Sequence, residues 1–470
     1  MTLPLQSQIL HTMPESKQEE RKTPQWIIVK AVAATILVGT FLLMLPWSSR
    51  SAEWTSPLTA LFMATSATCV TGHVVVDVGT FFSHFGQMVI LALCQVGGLG
   101  FMTMATFLLV LAGRRLSIQS EMTLMSSLGV DESHEIKTLL WRTVVFTIWV
   151  EGLGALVLTA RLMAAHDLQF STALYHGVFH AVSGFCNAGF TFYPDSLIGM
   201  RNDPVILLTM TVLIVLGGIG FLVVHDIGQS RIWDWRRCQR SRLALHSRIV
   251  LWATVCLVAG GAALFAALEW NSTLAGLGTA DRLVCSLFQS ASARTAGFNM
   301  TDIGQCQPAT RFMLTILMFI GGAPGSAAGG VKVTTAVILL GAMLTMIRGR
   351  REITILGRTI AVRVLEAALA VFLMALTSLV VLYSLLLLTE AQNLADLRFT
   401  AEFLLFDTIS AFGTVGLSTG IMPALTTAGK LIIIVAMFIG RCGPLTVALM
   451  VGVKEKRQLL RYPEEDIMVG

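Results

Sequence analysis

The sequence predicts an all-α membrane protein in which four outer helix–pore helix–inner helix repeats surround one central pore, with eight transmembrane helices. Three observations carry this prediction. The 470 residues are 54% hydrophobic and only 13% charged, about half the charge of a water-soluble chain. Long apolar runs recur from end to end. A short motif ending in glycine occurs four times at near-equal spacing, each time after a half-apolar stretch too short to cross a bilayer.

The runs Ala31–Trp47, Met88–Ala112, Val205–Val224 and Ala367–Leu388 are each about long enough to span a hydrocarbon core as a helix. They lack the polar face that buried helices of a large soluble protein would show. The first 25 residues are polar and mixed in charge. They lack the apolar core of a signal peptide, so no cleavage is expected. The eight cysteines form no CxxC pair and no zinc spacing, and they read as packing residues. The formal net charge of +5 sits in short loops rather than on a folded basic domain. That pattern sets topology and excludes a nucleic-acid partner.

With the N-terminus inside, 23 of the 33 basic residues fall in cytoplasmic segments and seven outside. This asymmetry places both termini in the cytoplasm. Arg294, Lys332 and Arg441 remain in apolar surroundings. The outer segments carry acids, among them Asp77, Asp195, Asp203, Glu269, Asp302 and Glu390. They read either as an acidic mouth that concentrates cations or as ordinary solvated loop charge.

The four similar stretches are Ser66–Gly72, Ser183–Gly189, Ala291–Gly297 and Ser410–Gly416, with the glycines 117, 108 and 119 residues apart. Each follows a long apolar run and a shorter half-apolar segment, and a second long run follows it. Non-helical backbone at membrane depth is tolerated only inside protein or beside water. Four re-entrant segments therefore imply an aqueous path. The repeats divide the chain into a tail (1–25), repeats at 26–113, 114–229, 230–347 and 348–453, and a second tail (454–470).

A dehydrated monovalent cation needs a ring of oxygen ligands, and backbone carbonyls supply one without a trapping charge. Aiming successive carbonyls inward takes dihedrals that glycine reaches most easily. The candidate filter is Val70, Thr71 and Gly72; Asn187, Ala188 and Gly189; Thr295, Ala296 and Gly297; Thr414, Val415 and Gly416. Each preceding helix directs its negative end at the site, which favours a cation. His73 follows the first filter glycine. A titratable ring there could make conduction pH-sensitive, or it is a neutral imidazole packed behind the filter.

The segments Gln289–Asn299, Phe319–Lys332, Phe438–Thr446 and Tyr462–Glu465 resemble those of the Trk/Ktr/HKT superfamily of cation transporters. The likeness runs from about residue 26 to the end and is greatest to the membrane subunits of bacterial Ktr potassium-uptake systems. It implies residence in the bacterial plasma (inner) membrane and a homodimer with one pore per subunit. It also implies a separate cytosolic ring of RCK-type, KtrA-like subunits that alone carries nucleotide. No strand–GxGxxG–helix unit stands in this chain. Glycine at all four filters, Gly72 included, implies potassium as the cargo, with sodium as a second candidate. Beyond potassium and membrane lipid, no cofactor is expected.

Gly321–Lys332 interrupts the third inner helix with Gly, Pro, Ser and Ala, which do not hold a helix in isolation. The family likeness identifies it as an intramembrane loop that obstructs the path. The candidate gate is Gly321, Gly322, Pro324, Gly325, Ser326, Gly329, Gly330, Lys332 and Arg441. A charge at bilayer depth, such as Arg441, usually marks function; capping of backbone carbonyls is the alternative. Arg294 is expected to point away from the path and brace the pore helix, with Glu151 or Glu402 as partner. His176 and His180 stand four apart, but no third ligand is evident, so they read as packing residues and not as a metal site.

Two other functional classes fit the composition. An intramembrane hydrolase using Ser326 beside His225 has no use for four equivalent glycine strands. A sodium-selective or sodium-coupled secondary transporter is the nearer alternative. Carriers built on inverted repeats differ from this chain, whose repeats all start and end inside.

Overall fold

The computed structural model describes residues 24–100, 133–229, 243–350 and 352–443. The tail before residue 24, the tail from 454 and the repeat boundaries at 113/114, 229/230 and 453/454 lie outside these residues. So do Pro444–Thr446 and Tyr462–Glu465.

The described residues are mostly helical, and one order of elements recurs. A first helix α1 (Pro24–Met44) leads to a short α2 (Pro57–Thr68), a turn, and α3 (His84–Leu99). Then come α4 (Ser133–His166), α5 (Phe170–Phe185), a turn, and α6 (Pro204–Ile219) with its bent continuation α7 (Phe221–Gln229). Next are α8 (Leu245–Glu269), α9 (Thr279–Ser292), a turn, and α10 (Pro308–Phe319), which a loop joins to α11 (Val333–Ile347). The last set is α12 (Val362–Thr389), α13 (Ala401–Gly413), a turn, and α14 (Thr427–Cys442). A two-stranded antiparallel ladder, Thr354–Ile355 with Arg358–Thr359, links α11 to α12.

Local signals set the starts. Pro57 and Pro204 stand in the first helical turns, where a missing N–H costs nothing. Ser56, Asp203, Thr400 and Thr426 cap backbone amides of α2, α6, α13 and α14 with their side chains.

Among the described residues, Trp141–His166, Leu245–Glu269 and Val362–Thr389 are each long and apolar enough to cross a membrane. The bent pair α6 and α7, at 92°, makes a fourth if counted as one span. The outward faces are apolar: Leu37, Phe41, Trp149, Trp252 and Leu388 are all exposed. The short helices lie inside, and Phe62, Phe179, Phe288, Phe406 and Phe412 on α2, α5, α9 and α13 are fully buried.

Packing between sets is cyclic. Helix α3 packs on α5, α6 on α9, α10 on α13, and α14 on α2, which closes the ring. Glycines permit the close approach inside the first, second and fourth sets. A Cβ on Gly97, Gly217 or Gly440 would lie 2.2, 1.8 or 1.9 Å from the carbonyl oxygen of Thr68, Phe185 or Phe412. Those carbonyls close the short helices α2, α5 and α13.

The run Val205–Val224 reads as one span, but the helix breaks at Gly220 (φ +93°) and turns away. The broken backbone is used: Ala323 N donates to Gly218 O (3.1 Å), and Phe221 N donates to Gly325 O (3.0 Å).

Candidate functional site: a carbonyl ring and the loop beneath it

The four glycines form a closed ring. A Cβ on Gly72 would stand 2.6 Å from Ala188 O; on Gly189, 2.8 Å from Ala296 O. On Gly297 it would stand 2.2 Å from Val415 O, and on Gly416, 2.0 Å from Thr71 O. Each glycine thus abuts the carbonyl just before the next glycine, in chain order, and the fourth returns to the first. All four have positive φ, from +71° to +94°. So do the residues two places earlier, Val70, Asn187, Thr295 and Thr414 (+57°, +57°, +85° and +48°). Alternation between left-handed and ordinary dihedrals turns successive carbonyls to one side. The glycines announce themselves in sequence, but a valine, an asparagine and two threonines held at positive φ do not. Such strain costs roughly 1–3 kcal/mol per residue and persists only where surrounding structure imposes it.

The imposing contacts are visible. Thr71 N, Ala188 N and Val415 N donate to Ser66 O, Ser183 O and Ser410 O at 2.7–2.8 Å. In the third turn Ala296 N and Gly297 N share Ser292 O (2.9 and 3.2 Å). Side chains add further ties. Ser183 Oγ and Ser292 Oγ donate to Phe190 O and Phe298 O (2.8 and 2.6 Å), and Gly416 N donates to Ser410 Oγ (3.1 Å).

Above the ring lies a vestibule of about 440 Å³ whose walls include all four glycines, Asp77, Asp195 and Asp302. Three other outer acids, Glu269, Glu390 and Asp203, are committed elsewhere. Glu269 is fully buried and accepts from Gln307 N (2.8 Å), Thr310 Oγ1 (2.5 Å) and Thr273. Glu390 does the same for Thr426 N (3.0 Å) and Thr426 Oγ1 (2.6 Å). Asp203 pairs with Arg161 at 2.8 Å. These three acids hold helix starts and do not face the mouth.

Below the ring lies the loop 321–332, with no helix in it. Gly321 N donates to Val331 O (2.8 Å) and Val333 N to Gly322 O (3.0 Å), so the loop is a pinched excursion. Gly329 packs against the side chain of Thr414, where a Cβ would meet Oγ1 at 2.0 Å. Ala323 N and Ala327 N donate to Gly218 O and Gly217 O on α6 (3.1 and 3.3 Å). Lys332 Nζ donates to Ala328 O (2.6 Å). From α14, Arg441 donates to Ala327 O and to Gly97 O on α3. Ser326 Oγ donates to Ala323 O (2.7 Å) and is a loop fastener. The loop therefore touches or reaches elements of all four sets.

One sequence-predicted detail, the partner of Arg294, falls differently. Arg294 is buried but pairs with neither Glu151 nor Glu402, and its Nε has no partner among the described residues. Glu402 holds Arg311 instead (2.8 Å), and Glu151 accepts from Gln95 Nε2 (3.3 Å). His73 is 1% exposed and lies at the inner wall of the vestibule, next to the backbone of Asp407. His176 and His180 lie in an aromatic cluster with Phe192 and Tyr193. No three potential ligands gather for a metal among the described residues.

The chain is similar to known cation transport proteins. The family profile described as "TrkH: Cation transport protein" matches residues 1–460. The Ktr system potassium uptake protein B of Bacillus subtilis is 38% identical over 96% of this chain and 97% of its own. The potassium/sodium uptake protein NtpJ of Enterococcus hirae is 36% identical over 98% of this chain and its whole length. The crystal structure of TrkH from Vibrio parahaemolyticus superposes with a TM-score of 0.69 at 19% identity, covering 93% of this chain and 86% of that one.

Proposed function

Because this chain belongs to the TrkH family of cation transport proteins, we propose that it takes potassium into the cell through the ring of Gly72, Gly189, Gly297 and Gly416. Membership of that family makes it a transporter and not an enzyme. The observation that carries the potassium reading is the closed ring itself, in which each glycine abuts the carbonyl before the next. Carbonyl oxygens at this density replace the hydration shell of a monovalent cation without adding a net charge to hold it. Four short helices also direct their negative ends at the ring.

In this reading α1, α4, α8 and α12 are outer helices, α2, α5, α9 and α13 are pore helices, and the remainder form inner helices. This gives eight spans around one pore, with both termini cytoplasmic in a bacterial plasma membrane. The filter ligands are the carbonyls of residues 70–72, 187–189, 295–297 and 414–416. The loop 321–332 is the gate, and Lys332 and Arg441 hold it shut by binding its carbonyls. The Bacillus relative is named as one part of a Ktr system. By that likeness the chain works as a homodimer with a cytosolic RCK-type ring that releases the loop. Sodium is the alternative cargo, as the name of the Enterococcus relative includes it.

The test is growth of potassium-uptake-deficient bacteria at low external potassium, with this chain expressed alone and with candidate RCK subunits. Rescue supports the reading. Absence of rescue with every partner, despite the full chain standing in the membrane, overturns it.

A further inference from the structure

Beyond the ring, one buried carboxylate has no place in filter or gate. Asp407 lies on α13 at 0% exposure, nine residues before Gly416. Both its oxygens reach the strand that leaves the ring. Oδ1 accepts from Thr419 N (2.9 Å) and Thr419 Oγ1 (3.3 Å), and Oδ2 accepts from Ser418 Oγ (2.8 Å). Ser418 Oγ in turn accepts from Gly420 N (3.0 Å), which fixes the next residue. No basic side chain forms an ion pair with Asp407 among the described residues. Burying a carboxyl without a counter-charge is costly unless hydrogen bonds satisfy it, and all of these bonds end on one short strand.

The third set has a counterpart. Gln289 on α9 is fully buried, and its Oε1 accepts from Met300 N (3.2 Å). Met300 and Thr419 each stand three residues past their filter glycine. The corresponding amides in the first two sets belong to Val75 and Phe192, and neither meets a side-chain acceptor from its pore helix. Two of four strands are thus strapped at one equivalent point, and the fourth carries the heavier strap.

We propose that Asp407 is a positioning residue for cation selectivity. By holding Ser418 and Thr419, it fixes the outer end of the fourth filter strand and thereby the carbonyl of Val415 in the ring. Gln289 does the same for the third strand with a single bond. Thr414 and Gly416 both sit at positive φ, a strained conformation that persists only where surrounding contacts hold it; Ser410 holds the inner side of Val415 and Gly416, and Asp407 holds the residues that follow. A carbonyl ring discriminates between cations only if its oxygens keep their spacing, so slack at one strand end degrades preference before it degrades folding. This inference rests on the reading of residues 414–416 as filter.

The experiment uses the full chain purified and reconstituted in liposomes with a matched regulatory subunit. Potassium uptake is measured against rising sodium for the parent, Asp407→Asn and Asp407→Leu. Hydrogen exchange of the segment 416–420 is followed on the same preparations. Asparagine retains an acceptor for Thr419 N, and leucine retains none. The expected result is preference within about twofold of the parent for Asp407→Asn, and about a tenfold loss for Asp407→Leu, with faster exchange confined to 416–420. Gln289→Leu should give a smaller loss of preference, with its faster exchange at 297–301. A folded Asp407→Leu with parental preference and exchange overturns the proposal. An asparagine variant as impaired as the leucine variant also overturns it, because charge and not the strap would then matter. If Asp407→Leu fails to fold, Asp407→Asn beside Thr419→Val decides by the same two readouts. A parent that moves no potassium, with the exchange pattern as expected, is instead a failure of the transport reading.

Discussion

A Cβ placed on Gly297 would stand 2.2 Å from the carbonyl oxygen of Val415, a residue 118 positions away in the chain. That approach ties the third glycine strand to the fourth, and its counterparts close the ring. Gly297→Ser therefore introduces both a steric conflict with a ligand carbonyl and a side chain at φ +75°. Backbone strain of this kind costs about 1–3 kcal/mol. The expected outcome is at least about a tenfold loss in potassium-over-sodium preference in competitive uptake. Unchanged preference in a folded variant would remove this strand from the filter.

Arg441 bridges Ala327 O in the loop and Gly97 O on α3. Charge-assisted hydrogen bonds are each worth about 1.5–3 kcal/mol, a range in which a regulator can still release the loop. Arg441→Ala, or deletion of Pro324–Gly329, should raise basal flux by tenfold or more and weaken dependence on the regulatory subunit. Potassium preference should be kept, since the filter lies above. Liposome flux of stable variants checks both points, and flux no faster than the parent would make Arg441 a brace.

Glu269 carries four hydrogen bonds from Thr273, Gln307 and Thr310 and so fastens the end of α8 to the start of α10. Truncation strands those donors, so Glu269→Ala should lower thermal stability in detergent by about 2–4 kcal/mol. The protein that survives should keep its cation preference. A change in preference without a change in stability would return Glu269 to the mouth, where its sequence position suggested it stood.

Reporter fusions after Arg237 and after Arg351 should both report cytoplasm. An external signal at either place would break the scheme of repeats that begin and end inside, on which the orientation of the pore depends.

Much of the ring was legible in the sequence because its requirement is local. A strand that must reach positive φ selects glycine, and glycine at four equivalent places leaves a visible period. The loop was legible for the same reason: Gly321–Lys332 cannot continue a helix. What depends on distant partners was not legible. Nothing in the chain says that Arg294 meets neither Glu151 nor Glu402, or that Glu269 and Glu390 turn inward to hold helix starts. The break at Gly220 was hidden because Val205–Val224 is apolar throughout, and only the loop amide donors explain why the helix stops there. The role of Asp407 is not local either, because its partners become neighbours only when the strand doubles back along α13.

The central claim is that the ring at Gly72, Gly189, Gly297 and Gly416 conducts potassium in preference to sodium. Its most direct test is uptake of potassium into liposomes holding the purified full chain with a matched regulatory subunit, measured against increasing external sodium. The account predicts saturable potassium uptake that a tenfold excess of sodium barely reduces, and loss of that resistance in Gly72→Ser. Equal suppression of the parent and Gly72→Ser by sodium, or uptake of sodium in place of potassium by the parent, would contradict it.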